Sequence, residues 1–228
     1  MDNQKVLDEI LLSENVVEKF KKAYLDESFK QWLLNILPEV EDCKKQKQDT
    51  PWHIYNCLDH ILHSVEEINK QTKSLPLKDR RMLAYVMFFH DIGKPACHLR
   101  RYAKAYGREV DSFFGHNKKS VEIAKRSLKT FGFVEEETKM IEMLVHEHDI
   151  FMFITEKYDG NPYHKVLSKE LINEEISLLN SVGMGKKLMQ YLVYVGRADN
   201  NAQNPDMTAK SLRVLDLIEK LLEEIISE

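Results

Sequence analysis

The stretch Met82–Pro95, MLAYVMFFHDIGKP, decides how the rest of the chain is read. Eight apolar residues, Met82 to Phe89, run without a break into His90 and Asp91. A run with no polar face is a buried strand or a helix buried on all sides. Gly93 and Pro95 follow at once, and Gly past a helix with Pro behind it is a stop signal. The pattern therefore predicts a buried helix that ends at the His-Asp pair. An imidazole beside a carboxylate in that place is costly to desolvate and needs a partner. A metal ion is one such partner, because neutral imidazole and carboxylate are both good ligands. A core histidine satisfied next to a helix-end aspartate is the plainer alternative, and this pair in isolation does not exclude it.

Composition sets the frame. The chain of 228 residues is long enough for one generous domain or two small ones, and its 43% apolar and 31% charged residues suit a globular protein. A net charge of −4 predicts no global electrostatic pull on nucleic acid. Cys43, Cys57 and Cys97 form neither an even framework nor a CxxC, which reads as reduced thiols. No leader-like segment opens the chain and no apolar run approaches membrane-spanning length, so the expectation is a cytoplasmic protein off the membrane. Eight Gly, six Pro and no alternating strand-like runs predict an all-α fold.

Outward from the central stretch, residues 1–48 read as one or two amphipathic helices up to Pro38 and a polar connector. In HIYNCLDHILHSVEEINK, Cys57, Ile61, Val65 and Ile68 form an inward stripe with His60 at its edge and His53 and His63 farther round. Periodicity alone does not choose among the three. From Ile92 to Arg108 there is no acid but five bases (Lys94, Arg100, Arg101, Lys104, Arg108), a local cationic segment placed to receive an anion. His116 stands just before a helix with Asn117 as its N-cap and Gly132 closing it. In VEEETKMIEMLVHEHD, His148 follows Ile141, Leu144 and Val145 on the inner face, while His146 lies about 200° away and faces solvent. Residues 150–185 read as a long surface loop around DGNP. Leu188, Leu192, Val195 and Asp199 share a face, which puts a second carboxylate at the end of an apolar stripe. Residues 211–226 form a packing helix.

Together, His60, His90-Asp91, His116, His148 and Asp199 place four histidines and two carboxylates on five segments. Their order, and FFHDIGKP in particular, resembles the HD-domain metal-dependent phosphohydrolases over residues 50–205. TPWHIYNCLDH, FFGHNKKS, LVHEHD and RADNNAQ look most like the HD region of the CCA-adding tRNA nucleotidyltransferase and poly(A) polymerase-like proteins. The resemblance implies a helical bundle of the HD-domain, phosphodiesterase-like kind, with residues 1–48 packed on an HD domain of 49–228 as one structural unit. It implies His60, His90, Asp91 and Asp199 as basic metal ligands and His116 and His148 as additions that allow a second ion, with Asp91 bridging. One or two divalent ions are expected, with Mn, Fe, Co, Ni, Mg and Zn not distinguished.

The chemistry implied is hydrolysis by a metal-activated water, with Asp91 and Lys94 in catalytic roles and Lys94 steadying phosphate charge. Lys94, Arg100, Arg101 and Lys118 are the expected substrate contacts. The substrate expected is a nucleotide-like phosphomonoester or a 2′,3′-cyclic phosphodiester, an RNA end included, with no obligate protein partner. Departures narrow this. The Gly-rich and Asp-x-Asp elements of a nucleotidyltransferase head are absent, DGNPY is only a faint echo of the HD-GYP signature, and the Glu-Asp pair of the (p)ppGpp hydrolases is not found after His90-Asp91. A non-catalytic metal-containing nucleotide sensor or interaction protein on the same fold is the alternative.

Overall fold

Helix α6 (Leu77–Phe89) is the axis of the computed structural model, which describes residues 2–227. None of Met82–Phe89 is more than 3% exposed, as expected for a helix apolar on every face. α5 (Cys57–Gln71) and α8 (Glu135–His146) pack against it, and α10 (Gly185–Asn201) lies across α5, α6 and α8. α7 (His116–Ser127) sits on α8, while α9 (Lys169–Leu179) and α11 (Pro205–Ser227) cover α10. The architecture is an all-α bundle of eleven α-helices among the described residues. One apolar cluster runs through it from Leu7 to Ile225. Tyr85, Phe88, Phe89 and Phe131 form its aromatic centre, and burying each such ring stabilises the fold by roughly 1.5–3 kcal/mol.

The amino-terminal part holds four helices rather than the one or two expected: α1 (Asn3–Leu11), α2 (Val16–Ala23), α3 (Glu27–Ile36) and α4 (Glu39–Lys45). Asp26 explains one break, since its side chain accepts from the Phe29 N–H at 2.9 Å and starts α3. Pro38 stands between α3 and α4 as the cap of the latter.

Two small sheets interrupt the helices. β1 (Leu99–Ala103) pairs antiparallel with β2 (Arg108–Ser112), Leu99 opposite Ser112 and Ala103 opposite Arg108. β3 (Ile154–Thr155) and β4 (Lys165–Val166) form a parallel pair. The hairpin occupies the cationic segment. β1 is exposed along almost its whole length, so no apolar alternation marks it. The stretch expected to be a loop at 150–185 likewise contains α9, started by the Ser168 hydroxyl accepting from Leu171 N–H.

The turn after α6 is the critical junction. Gly93 does not close the helix with a left-handed residue, the usual reason for Gly at that place. It is required because α7 passes directly over it: a Cβ there would lie 2.5 Å from the His116 carbonyl oxygen and 2.6 Å from the Ser120 nitrogen. The Gly93 N–H donates to the Ser120 hydroxyl at 2.9 Å and locks the contact. Pro95 then opens a short 3-10 turn, Pro95–Cys97, that leads into β1.

Candidate metal centre

Five segments deliver the predicted ligand side chains to one buried place. His60 lies in the first turns of α5, His90 caps α6 with Asp91 beside it, and Asp199 sits near the end of α10. His116 is the first residue of α7, capped by Gly115 in the left-handed conformation, not a residue before a helix capped by Asn117. The Asn117 amide donates instead to the His146 carbonyl at 2.9 Å, tying α7 to the end of α8. α7 ends at Ser127, well before Gly132, which sits at φ 79° in the turn toward α8. α8 stops at His146, so His148 lies in the following turn and not on the helix. That turn still aims it inward: His148 is 3% exposed, whereas His146 stays half-exposed and pairs with Glu147 at 2.7 Å.

The ligand atoms form two groups that share Asp91. His60, His90, Asp91 and Asp199 make one, and Asp91, His116 and His148 the other, each with donor atoms within 4.8 Å of one another. In the first, His60 Nε2 lies 3.1 Å from Asp91 Oδ2 and 3.0 Å from Asp199 Oδ1. His90 Nε2 lies 3.3 Å from Asp91 Oδ2, 3.5 Å from Asp199 Oδ1 and 3.3 Å from His60 Nε2. In the second, His116 Nε2 is 3.1 Å and His148 Nε2 3.7 Å from Asp91 Oδ1, and the two nitrogens are 3.2 Å apart. The two oxygens of Asp91 therefore face different sets of imidazoles.

Hydrogen bonding fixes which atoms point where. The Nδ1 atoms of His60, His90, His116 and His148 lie 3.2, 2.7, 3.0 and 2.7 Å from the carbonyl oxygens of Ala202, Met87, Phe113 and Val145. A carbonyl only accepts, so each Nδ1 carries the proton and, in the neutral ring, each Nε2 presents a bare lone pair to the cluster. Asp199 Oδ1 is buried and receives no hydrogen bond, although His60 Nε2 is 3.0 Å away. Acceptors facing acceptors at this range repel unless a cation, a proton or a metal ion, lies among them. The donor set of imidazole nitrogens and carboxylate oxygens fits a divalent metal.

The local charges agree. Burial pushes the Asp91 carboxyl up, yet the Lys94 ammonium and His90 outweigh it and hold it well below the usual carboxylate range. Burial acts likewise on Asp199, which His60 and His90 hold well below that range. Burial pulls the imidazoles of His60 and His90 down, but the two carboxylates more than offset it and raise both, His90 to about 10. His148, which is farther from any carboxylate oxygen, is pushed down to about 4 chiefly by burial. The two carboxylates are thus set against a proton on the raised His90, which a metal ion would replace, and one fixed cation.

Lys94 is that cation, and it is fully engaged. Its Nζ lies 2.5 Å from Asp91 Oδ2, 2.9 Å from Gln48 Oε1 and 3.3 Å from His53 Nε2, over the Phe113 ring at 5.5 Å. Burial lowers its pKa, but Asp91 raises it further. Gln48 escapes a sequence reading, and His53, one of three histidines that periodicity does not tell apart, stands outside the helix: both precede α5, which begins only at Cys57.

The remaining expected substrate contacts are placed less favourably. Arg100 is held by Asp49 at 2.7 Å and Asp111 at 3.0 Å. Arg101 pairs opposite Val110, on the strand face away from Arg100 and Asp111. Lys118, in the first turn of α7, is exposed and close in sequence to His116. None of these three contacts the His/Asp cluster among the described residues. No protein-family model matches the chain, and no curated protein matches it. No helix among the described residues is long and apolar enough to cross a membrane.

Proposed function

We propose that the chain is an HD-domain metal-dependent phosphohydrolase acting on a nucleotide-like phosphomonoester or 2′,3′-cyclic phosphodiester. The observation that carries this reading is Asp91, whose two oxygens each face a separate set of imidazoles, as a bridging carboxylate between two ions would. His60, His90 and Asp199 would complete one position, His116 and His148 the other. When bound, the ions supply an acidified water and charge stabilisation for the entering and leaving oxygens of a phosphoryl group. The residues do the rest. The four backbone-anchored imidazoles hold their lone pairs in fixed directions. Lys94 offsets the charge of Asp91 without competing as a ligand, because an ammonium has no lone pair. The first turn of α7 has no side-chain cap, so the Asn117 and Lys118 N–H groups stand next to His116 as contacts for an anion.

The test is a screen of phosphate esters, cyclic phosphodiesters and nucleotides with Mn, Co, Ni, Mg, Fe and Zn, run on the wild type and Asp91→Asn. Turnover that disappears in a folded Asp91→Asn variant is the expected result. Turnover at the wild-type rate in that variant sinks the mechanism. One observation favours the second reading, a non-catalytic metal-containing nucleotide sensor: Lys94 and Arg100 are both committed within the protein, which leaves few cations for a transition state. Nucleotide binding with no turnover under any of the metals would select it.

A further inference from the structure

All three protons of Lys94 are taken. An ammonium has three N–H donors and no acceptor, and here Asp91, Gln48 and His53 take one each. A substrate anion can reach this charge only by displacing one of them. The Asp91 contact is ionic and the shortest, at 2.5 Å. Gln48 is buried, and its amide nitrogen also donates to the Tyr55 carbonyl at 3.3 Å, which fixes it at both ends. His53 makes the longest contact, 3.3 Å, and contributes a neutral ring.

His53 is also the partner with least to lose. Because Lys94 can only donate, His53 Nε2 must accept, so the ring proton resides on Nδ1. That Nδ1 is buried and has no hydrogen-bond partner. A buried donor without an acceptor is costly to keep. Burial, then Lys94 and His60, hold the ring well below the usual histidine range, so it has no charge of its own to defend. The main chain on either side is pinned: before the ring, Asp49 N–H donates to Asp111 at 2.7 Å and Asn204 donates to the Trp52 and Pro51 carbonyls at 2.8 and 2.9 Å, and after it Cys57 N–H donates to the Gln46 carbonyl at 2.9 Å. The ring can therefore turn on its side-chain torsions while the loop backbone stays where it is.

We propose that His53 is a placeholder on Lys94: an oxygen of the substrate's phosphate group displaces the imidazole and takes over the third proton of the ammonium. The inference rests on the phosphoryl reading of the site. It also reconciles a lysine suited to steady phosphate charge with one that is saturated at rest. His53 then sets the threshold for anions. Weak anions do not displace it, and a phosphate held at the same time by the ligand cluster does.

The experiment measures the dissociation constant of inorganic phosphate by calorimetry on metal-loaded protein. It compares the wild type with His53→Ala, each in the native and Lys94→Met backgrounds. Removing a placeholder frees a charged donor, so His53→Ala should bind phosphate roughly three- to tenfold more tightly. The gain should vanish in Lys94→Met, as a coupling through that ammonium requires. Weaker binding in His53→Ala would overturn the inference and make the imidazole itself an anion contact. Unchanged binding, no phosphate binding by either protein, or a gain that survives Lys94→Met would overturn it as well. Should Lys94→Met not fold, the wild type still decides: phosphate must move the His53 side-chain nitrogen resonance from that of an accepting Nε2, and a static resonance refutes displacement. Binding is read without turnover, so the two ideas fail separately. A placeholder effect in a protein that hydrolyses no ester removes the hydrolase, and hydrolysis with no such effect removes the placeholder.

Discussion

Metal uptake by this cluster should release protons, and the count can be worked from the site. His90 Nε2 ligates only when bare, yet the neighbouring carboxylates hold this imidazole up to about 10. At a pH of about 7.5 the deprotonated fraction is then roughly one in 300, which costs about 3 kcal/mol of binding free energy. The sign follows from the direction of the shift. The protonated fraction falls as pH rises, so affinity climbs about tenfold per pH unit for each proton released and levels off only near the raised pKa. His60 is raised too, which acts in the same direction. Between a pH of about 6.5 and 8.5 the affinity should therefore rise at least a hundredfold. Chelator competition gives the slope, and calorimetry in buffers of different ionisation enthalpy gives the protons per ion. A flat profile, or affinity that rises as pH falls, would refute this picture of the cluster.

Other outcomes follow from particular contacts. His148→Ala should lose metal stoichiometry and most of any activity, because its Nε2 lies in the Asp91 group, while His146→Ala should change stability by no more than about 0.5 kcal/mol. The reverse order in metal analysis would show that the turn after α8 is placed wrongly. Gly93→Ala should cost roughly 1–3 kcal/mol in chemical denaturation, since its Cβ would meet the backbone of α7 at 2.5 Å; a neutral effect would mean α7 is not seated there. Saturating metal, at about a hundred times its dissociation constant, should add roughly 2.7 kcal/mol and raise Tm by about 5–10 °C. No shift in a protein shown to carry metal would mean the ion binds somewhere other than this folded cluster.

What the sequence disclosed and what it hid have separate physical causes. The run Met82–Phe89 could be read because a helix buried all round leaves no polar position to confuse the pattern, and the pair that ends it stood out as an uncompensated cost. Asp199 was visible for the same reason, as a carboxylate closing an apolar stripe. His148 was singled out by a helical phase that in fact stops two residues short of it, at His146. Glu147 carries φ −99° and ψ 9°, so the turn departs only part-way from a helical path and still directs the next side chain inward. Gln48 and His53 gave no such signal. They act through Lys94, 46 and 41 residues further along, from a segment with no period. The cationic segment misled in the opposite way: charge alone does not say that Arg100 and Arg108 are spent on Asp49.

The anchoring of the imidazoles has a consequence for how this centre can be altered. Each of the four histidines is oriented by a main-chain carbonyl, three of them belonging to the residue three positions earlier and one to Ala202 at the end of α10. A carbonyl cannot be substituted away. The usual way of detuning a metal site, replacing the side chain that supports a ligand, is therefore closed for all four rings. Their aim is written into where α6 and α8 end, where α7 begins and where α10 stops. Variation that leaves those four helix boundaries intact leaves the ligands pointed as they are, and variation that moves one by a residue swings a ligand out of the cluster. The centre is thus tolerant of changed neighbours and intolerant of changed lengths.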